Sequence, residues 1–261
     1  MLNNKVVFIT GGARGIGYGI ARAVLEAGAR VAIGDLDEQA LTAARDSLLA
    51  EVSVADNTVY AIVVDVADEP SVETALSAAR SHFGFLNGLV NNAGVIRLGA
   101  DLGASTKDWQ VQMEVNVIGT HNCCRSFAEM LIDAGKPGAI VNIASNCGKV
   151  GYPNMAGYNA SKAAVINLTR SLSAELSEHD INVNAICPGG VYTPMLVEVA
   201  RSIGERTGEQ AEELLKTMVP GQLGRHVEPL EIGRVAAFLL SDHANIIRGQ
   251  SINADGGDTP Y

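Results

Sequence analysis

Lys5-Val6-Val7-Phe8-Ile9-Thr10-Gly11-Gly12-Ala13-Arg14-Gly15-Ile16-Gly17 passes from an apolar, largely β-branched run directly into glycines. Lys5 to Ile9 reads as a short strand. Beyond Gly17 the pattern is helical to Ala27, and Gly28 stands as a cap. Strand, glycine turn, helix is the context in which a glycine motif carries meaning. Glycines let a backbone approach a pyrophosphate, and the helix N-terminus offers it unpaired N–H groups and a positive dipole. Gly11, Gly15 and Gly17 follow G-x-x-x-G-x-G spacing, where G-x-G-x-x-G is the commoner form. A plain turn requires one or two glycines. Three favour a phosphate loop, with Arg14 and Ile16 inside it.

The next strand, Arg30 to Gly34, ends at Asp35, eighteen residues beyond Gly17. A dinucleotide's adenosine ribose is expected to meet an acid about 20 residues past the glycines. A carboxylate there accepts from both ribose hydroxyls and repels a 2′-phosphate, so Asp35 points to NAD rather than NADP. Arg14 is the counter-signal, because a guanidinium in the loop could hold that phosphate. Asp35 outweighs it by facing the ribose itself. Further strands are expected at Thr58 to Val64, Leu86 to Val90, Ala139 to Ala144, Ile181 to Ile186 and Gln250 to Asn253. Helical patterns lie between them at Asp37 to Val52, Glu69 to Phe83, Thr106 to about Ile132, Ala156 to Leu176 and Pro229 to Leu240. Strands and helices alternating at this pitch predict an α/β fold: a doubly wound parallel sheet with helices on both faces, one domain over residues 1–261. Ligands of such sheets sit beyond the carboxyl ends of the strands. Gly11, Asp35, Asp65 with Val66, Asn92 with Ala93 and Gly94, and Ser145 all fall there, and Asp65-Val66 is placed to meet an adenine edge.

Tyr158-x-x-x-Lys162 lies in the predicted helix Ala156 to Leu176, thirteen positions after Ser145. A spacing of four puts both side chains on one helical face, about 6 Å apart along the axis. A solvated face explains many such pairs. An ammonium beside a phenol, however, lowers the tyrosine pKa towards neutrality and equips it for proton exchange with a substrate. Ser145 could hold the same substrate oxygen. Asn116, inside an apolar helical pattern, is open to two interpretations: a satisfied core amide or a water-holding site residue. Asn146, Cys147, Tyr152, Asn154 and Tyr192 are candidate pocket walls, and Cys147 is expected to pack rather than react. Between Pro194 and Val227 the pattern turns more polar, as for a helical substrate lid. Its Arg201, Arg206, Arg225 and His226 read first as a charged face and second as an anion site.

At 261 residues and 47% apolar, the chain can bury a sizeable core, and its net charge of −10 argues against nucleic acid or an anionic membrane surface. No apolar run approaches the roughly 18 residues of a membrane span. The N-terminus carries no basic n-region or cleavage site, which argues against secretion. Cys123, Cys124, Cys147 and Cys187 show no framework spacing and are expected as reduced thiols of a cytoplasmic protein. His82, His121, His179, His226 and His243 are scattered without ligand spacing, so no metal is expected.

With these residues in place, the chain resembles the classical short-chain dehydrogenase/reductase family over essentially its whole length. The resemblance rests on Thr10-Gly11-x-x-x-Gly15-x-Gly17, Asn91-Asn92-Ala93-Gly94, Asn116, Ser145, Tyr158-x-x-x-Lys162 and Pro188-Gly189-x-x-x-Thr193. No catalytic position departs from the family pattern. The resemblance implies a Rossmann-like fold, Tyr158 as acid/base, Ser145 as the group that polarises the carbonyl, and Lys162 on the nicotinamide ribose. It implies Asn116 as holder of a relay water, and Asn92, Val191 and Thr193 about the nicotinamide. A homotetramer is implied too, with the last helix and strand at one interface. The lid is similar to those of polyol, acetoin and butanediol dehydrogenases, so an NAD-dependent oxidoreductase of a small polyol, vicinal diol or hydroxyketone is expected. The alternatives are a 3-oxoacyl-carrier-protein (thioester) reductase and a non-catalytic dinucleotide sensor.

Overall fold

Side chains alternate across a strand, so a strand buried on both faces must be apolar at every position. Strand β1 (Val6–Thr10) is buried throughout and apolar from Val6 to Ile9. Val7 and Ile9 pack to one side with Ile20 and Val24, while Val6 and Phe8 pack to the other with Val72, Leu76 and Phe127. In the computed structural model, which describes residues 1–99 and 103–261, β1 is an interior strand, third in a seven-stranded sheet. The other strands are β2 (Arg30–Asp35), β3 (Val59–Val63), β4 (Gly88–Asn91), β5 (Gly138–Ile143), β6 (Ile181–Pro188) and β7 (Ser251–Ala254). They run in the order β3-β2-β1-β4-β5-β6-β7, all parallel. The chain reverses its direction of winding between β1 and β4, which opens a crevice at their carboxyl ends.

Helices α1 (Gly15–Glu26) and α2 (Glu38–Val52) contribute to the core on one face. On the other lies α3 (Glu69–Phe83). The doubly wound architecture read from the sequence is present, with element ends displaced by a residue or two.

Two segments differ more. The predicted helix from Thr106 to about Ile132 is α4 (Thr106–Met113), a π-helical turn (Glu114–Ile118) and α5 (Gly119–Ala134). A Cβ on Gly119 would stand 2.7 Å from Val66 Cγ2, so the chain passes close to the end of β3 just after this wide turn. Such turns recur at functional sites, and Asn116 is at its centre. After α6 (Ala156–Glu175), the predicted lid divides into α7 (Pro194–Thr207) and α8 (Ala211–Thr217). Gly208 at φ 81° ends α7, a conformation an L side chain resists. The segment then returns to the sheet through a parallel bridge between Val191 and Val227.

The last helix, α9 (Pro229–Leu240), crosses α1 at very short range. A Cβ on Gly19 would lie 2.5 Å from the Pro229 carbonyl oxygen, and one on Gly233 would lie 2.4 Å from the Gly19 oxygen. Both contacts are with backbone, which cannot swing aside. Gly19→Ala is therefore expected to cost about 2 kcal/mol, read as a fall of roughly 5 °C in thermal unfolding. An unchanged midpoint would mean that α9 can slide. Among the described residues no helix is long and apolar enough to cross a membrane.

Candidate active site

Gly11 (φ 63°) and Gly15 (φ 56°) take left-handed backbone in the turn from β1 to α1, and a Cβ on Gly17 would meet the Gly11 oxygen at 2.0 Å. The N-cap residue Arg14 makes no side-chain capping bond, so the first N–H groups of α1 are not met by its own cap. A cradle that side chains would fill, under an uncapped helix N-terminus, suits a pyrophosphate. Thr10 Oγ1 accepts from the backbone N–H of Asn92 and of Ala93, each at 3.0 Å, tying β1 to β4. Asn92 Nδ2 donates to Thr10 O (3.0 Å) and Gly11 O (2.9 Å). Its amide thus braces the glycine turn. Asn91 points the opposite way, donating to Asn142 Oδ1 at 2.9 Å.

At the end of β2, Asp35 Oδ2 accepts from Ala13 N (3.3 Å) and Oδ1 from Leu36 N (2.8 Å). The carboxylate therefore sits against the glycine loop, while Arg14 is exposed and forms no ion pair with a described residue. Asp65 closes a turn by accepting from Ala67 N at 2.9 Å, and Val66 is buried beside Gly119. Pro188 ends β6 opposite Ala254, and a Cβ on the following Gly189 would lie 2.8 Å from the Asp255 Cβ. Val191 is buried. Thr193 caps α7 by accepting from Leu196 N at 3.2 Å, and its methyl would lie 3.5 Å from a Cβ on Gly15. The β6–α7 connection thus packs over the glycine loop.

Ser145 follows β5, and its hydroxyl accepts from Cys147 N (3.1 Å) and donates to Asn146 Oδ1 (3.3 Å). The turn Asn146–Gly148 leans on α6 so closely that a Gly148 Cβ would stand 2.6 Å from the Lys162 carbonyl carbon. Tyr158 and Lys162 share the first turns of α6, with Nζ 5.6 Å from the ring centroid. Lys162 is buried and donates to Ile143 O at 2.8 Å. Asn116 Oδ1 accepts from Val95 N (2.8 Å), and its Nδ2 donates to Val95 O and Ser161 Oγ, each at 2.9 Å. Asn116 is thus a satisfied amide, yet a Gly94 Cβ would lie 3.3 Å from its Oδ1 and 3.5 Å from Lys162 Nζ. Both residues face the space over Gly94.

The expected lowering of the Tyr158 pKa is corrected. Burial pushes the phenol above its ordinary value, the neighbouring Cys147 adds to the rise, and the Ser145 hydroxyl opposes it. Burial also lowers Lys162, from 10.5 to about 8. Each group loses solvation for its charged form, and the lysine spends a hydrogen bond on the Ile143 carbonyl rather than on the phenol. Burial likewise raises the Cys147 thiol, whose sulfur lies 3.9 Å from Met155 Sδ, consistent with packing.

Two of the expected pocket walls are exposed. Tyr192 is 56% exposed and turns to the His226 ring, 5.6 Å away, beside Tyr18 and Arg22. Asn154 is exposed in a left-handed turn (φ 64°), and its carbonyl accepts from Gly99 N. Arg201 is taken up by Glu198 and Glu205, Arg225 by Glu231, and Arg206 by the Ser202 carbonyl, so these form a charged face. Asn146 and Tyr152 do lie beside Ser145, but both donate to Asp258, a residue that sequence reading missed. Asp258 is 112 positions from Asn146, with no motif to join them. Ser161 was missed because its partner Asn116 is 45 positions away.

A parallel sheet with a glycine cradle and a bracing asparagine at its switch point defines a dinucleotide-binding oxidoreductase. A family model described as "Enoyl-(Acyl carrier protein) reductase" matches residues 11–259. A 2-(S)-hydroxypropyl-CoM dehydrogenase of Xanthobacter autotrophicus is 36% identical over 258 residues, covering 99% of this chain and 98% of its own. A 2,5-dichloro-2,5-cyclohexadiene-1,4-diol dehydrogenase of Sphingobium indicum is 35% identical over 259 residues, with coverage of 99% and 98%. Among solved structures, an actinorhodin polyketide ketoreductase variant with NADPH matches at TM-score 0.92 and 31% identity, covering 100% of this chain and 99% of its own. The chain belongs to the short-chain dehydrogenase/reductase family, oxidoreductases that act on CH–OH groups with a nicotinamide dinucleotide. The family and fold expected from the sequence are borne out.

Proposed function

We propose that this protein is an NAD-dependent dehydrogenase of a small secondary alcohol: a polyol, vicinal diol or hydroxyketone. The observation that carries this reading is the grouping of Ser145, Tyr158 and Lys162 around the end of β5, with Asn116 across Gly94 from the lysine. A bound nicotinamide dinucleotide supplies the hydride donor or acceptor. Tyr158 then exchanges the matching proton with the substrate oxygen, which Ser145 orients by redirecting its hydroxyl from Asn146. Lys162, ionisable near neutrality, passes protons between Tyr158 and the space over Gly94, with Asn116 bordering that route. The cofactor would be held by Gly11, Arg14, Gly15, Ile16 and Gly17 at the pyrophosphate and by Asp35 at the ribose. Asp65 and Val66 would border the adenine. Asn92, Ala93, Gly94, Pro188, Gly189, Val191 and Thr193 would enclose the nicotinamide half. The segment from Pro194 to Val227 serves as the lid, and Met195 and Val197 on α7 are exposed apolar side chains available to a substrate. The names of the hydroxypropyl and cyclohexadiene-diol dehydrogenases support a hydroxy-compound substrate.

The family model's description and the ketoreductase match favour a second reading, reduction of a 3-oxoacyl thioester with NADPH. Against it stand Asp35 at the ribose position and the net charge of −10, which repels acidic carrier proteins. Initial rates of reduced-cofactor formation on diols, polyols and secondary alcohols, with NAD and NADP in parallel, separate the two. Turnover of a diol series with NAD is expected. NADPH-dependent reduction of an acetoacetyl thioester would reverse the ranking, and binding without any turnover would indicate a sensor.

Asp35→Ala removes the carboxylate that holds Ala13 N and Leu36 N. It is expected to shrink the NAD-over-NADP ratio of kcat/KM at least about tenfold, the loss of one charge-assisted hydrogen bond and one like-charge repulsion. A ratio that does not move would assign cofactor choice to Arg14 or elsewhere.

A further inference from the structure

Residues 255–261 form a strap beside Ser145. Asp255, buried, organises its bend: Oδ1 accepts from Gly257 N (3.1 Å), and Oδ2 accepts from Thr259 N (3.0 Å) and Thr259 Oγ1 (2.6 Å). Leu223 N donates to Gly256 O (3.1 Å), joining the strap to the turn that ends the lid segment. Tyr261 hydroxyl donates to Lys149 O (3.2 Å), joining it to the turn after Ser145. Between these anchors stands Asp258. Its Oδ2 accepts from Asn146 Nδ2 at 2.8 Å and from Tyr152 hydroxyl at 2.9 Å. Asn146 Nδ2 also contacts the Tyr152 oxygen at 3.2 Å, so the three close a ring. With its Nδ2 held there, Asn146 turns Oδ1 to the Ser145 hydroxyl. One amide group separates the Ser145 oxygen from the carboxylate.

Among the described residues Asp258 Oδ1 receives no hydrogen bond, and no lysine, arginine or histidine pairs with it. The nearby ammonium groups are committed elsewhere, Lys149 to Ser251 O at 2.7 Å and Lys162 to Ile143 O at 2.8 Å. An anionic side chain without a cationic partner at the wall of a substrate site repels substrate anions and accepts from substrate hydroxyls.

We propose that Asp258 is a specificity-determining residue that restricts this enzyme to uncharged polyhydroxy substrates, accepting from a hydroxyl remote from the reacting carbon and excluding phosphorylated or sulfonated analogues. The proposal rests on the alcohol-dehydrogenase reading above and names the charge class of its substrate. The same carboxylate holds Asn146 and Tyr152 in place, so the strap both shapes and charges the wall.

The test compares propane-1,2-diol with its 1-phosphate on the full chain with NAD, wild type against Asp258→Asn. The asparagine keeps the size and one acceptor but loses the charge. The ratio of kcat/KM, phosphate over diol, is expected to rise about tenfold in the variant, the scale of one like-charge contact at several ångströms in a partly solvated site. Raising the salt should narrow the discrimination in the wild type and leave the variant nearly unchanged, because only the former rests on charge. A ratio that stays put on substitution, with a wild-type preference indifferent to salt, overturns the proposal. Should neither compound turn over, the alcohol-dehydrogenase reading fails on its own. Calorimetric binding of the same pair to the NAD-loaded proteins then decides the charge discrimination by the same ratio.

Discussion

Tyr158→Phe is expected to lower kcat by about 10²- to 10⁴-fold, the range contributed by a positioned general acid or base. Binding of NAD, measured by calorimetry, should stay within about twofold, because the phenylalanine ring preserves the packing on α6 and only the hydroxyl leaves. Turnover within tenfold of wild type would remove Tyr158 from the chemistry. The state of the phenol adds a pH signature. Burial and Cys147 hold its pKa above the ordinary value, so near neutrality it is protonated. A protonated phenol is ready to donate in the reductive direction and must ionise before it can accept in the oxidative one. Oxidative kcat/KM should therefore climb as the pH rises through and beyond neutrality. Reductive kcat/KM should remain flat over the same interval.

Lys162→Met should abolish most turnover and yet make the protein more stable at neutral pH. Burial lowers the lysine from 10.5 to about 8, which corresponds to roughly 3 kcal/mol of penalty on the ammonium. The sign follows from proton counting. Between about pH 8 and 10.5 the folded chain binds fewer protons at this residue than the unfolded chain, so stability rises with pH across that window. Below it the full penalty applies. Methionine removes the penalty but forfeits the bond to Ile143 O, worth about 1 kcal/mol. A net gain of about 1–2 kcal/mol at pH 7 follows, seen as a midpoint some 2–6 °C higher. By pH 10.5 the gain should vanish or reverse. A variant less stable than wild type at pH 7 would show that the ammonium is compensated by groups beyond Ile143, and that burial is not what sets its pKa. Together the two substitutions separate a proton carrier from a buried charge retained at the expense of stability.

The sequence alone determined the architecture, because a parallel sheet covered on both faces demands apolar strands of a kind that few other folds require. Val6 to Thr10 followed by three spaced glycines placed β1 and its loop, and repetition of strand then helix placed the rest. Tyr158 and Lys162 were legible because four residues of helix bring them to one face whatever surrounds them. Asp35 was legible because it ends the strand after the glycine helix. These are local relations, carried by the backbone period.

What only the tertiary structure decided depends on residues far apart in sequence. Asn92 braces the glycine turn across 81 positions, and Asp258 reaches Asn146 across 112. The approach of α1 to α9 rests on Gly19 and Gly233, two glycines that no motif pairs. Asn116 is satisfied by Val95 and Ser161 because a π-helical turn, invisible in the apolar pattern, rotates it. The direction of the Tyr158 pKa reversed with folding, and burial brought the Lys162 value down. Spacing reports that two charges can meet, whereas ionisation depends on how much water burial removes from each. Tyr192 has the His226 ring, 34 residues onward, as its neighbour in space. Periodicity encodes which side chains share a face of one element. Which faces then meet, and how dry the contact is, was decided by packing.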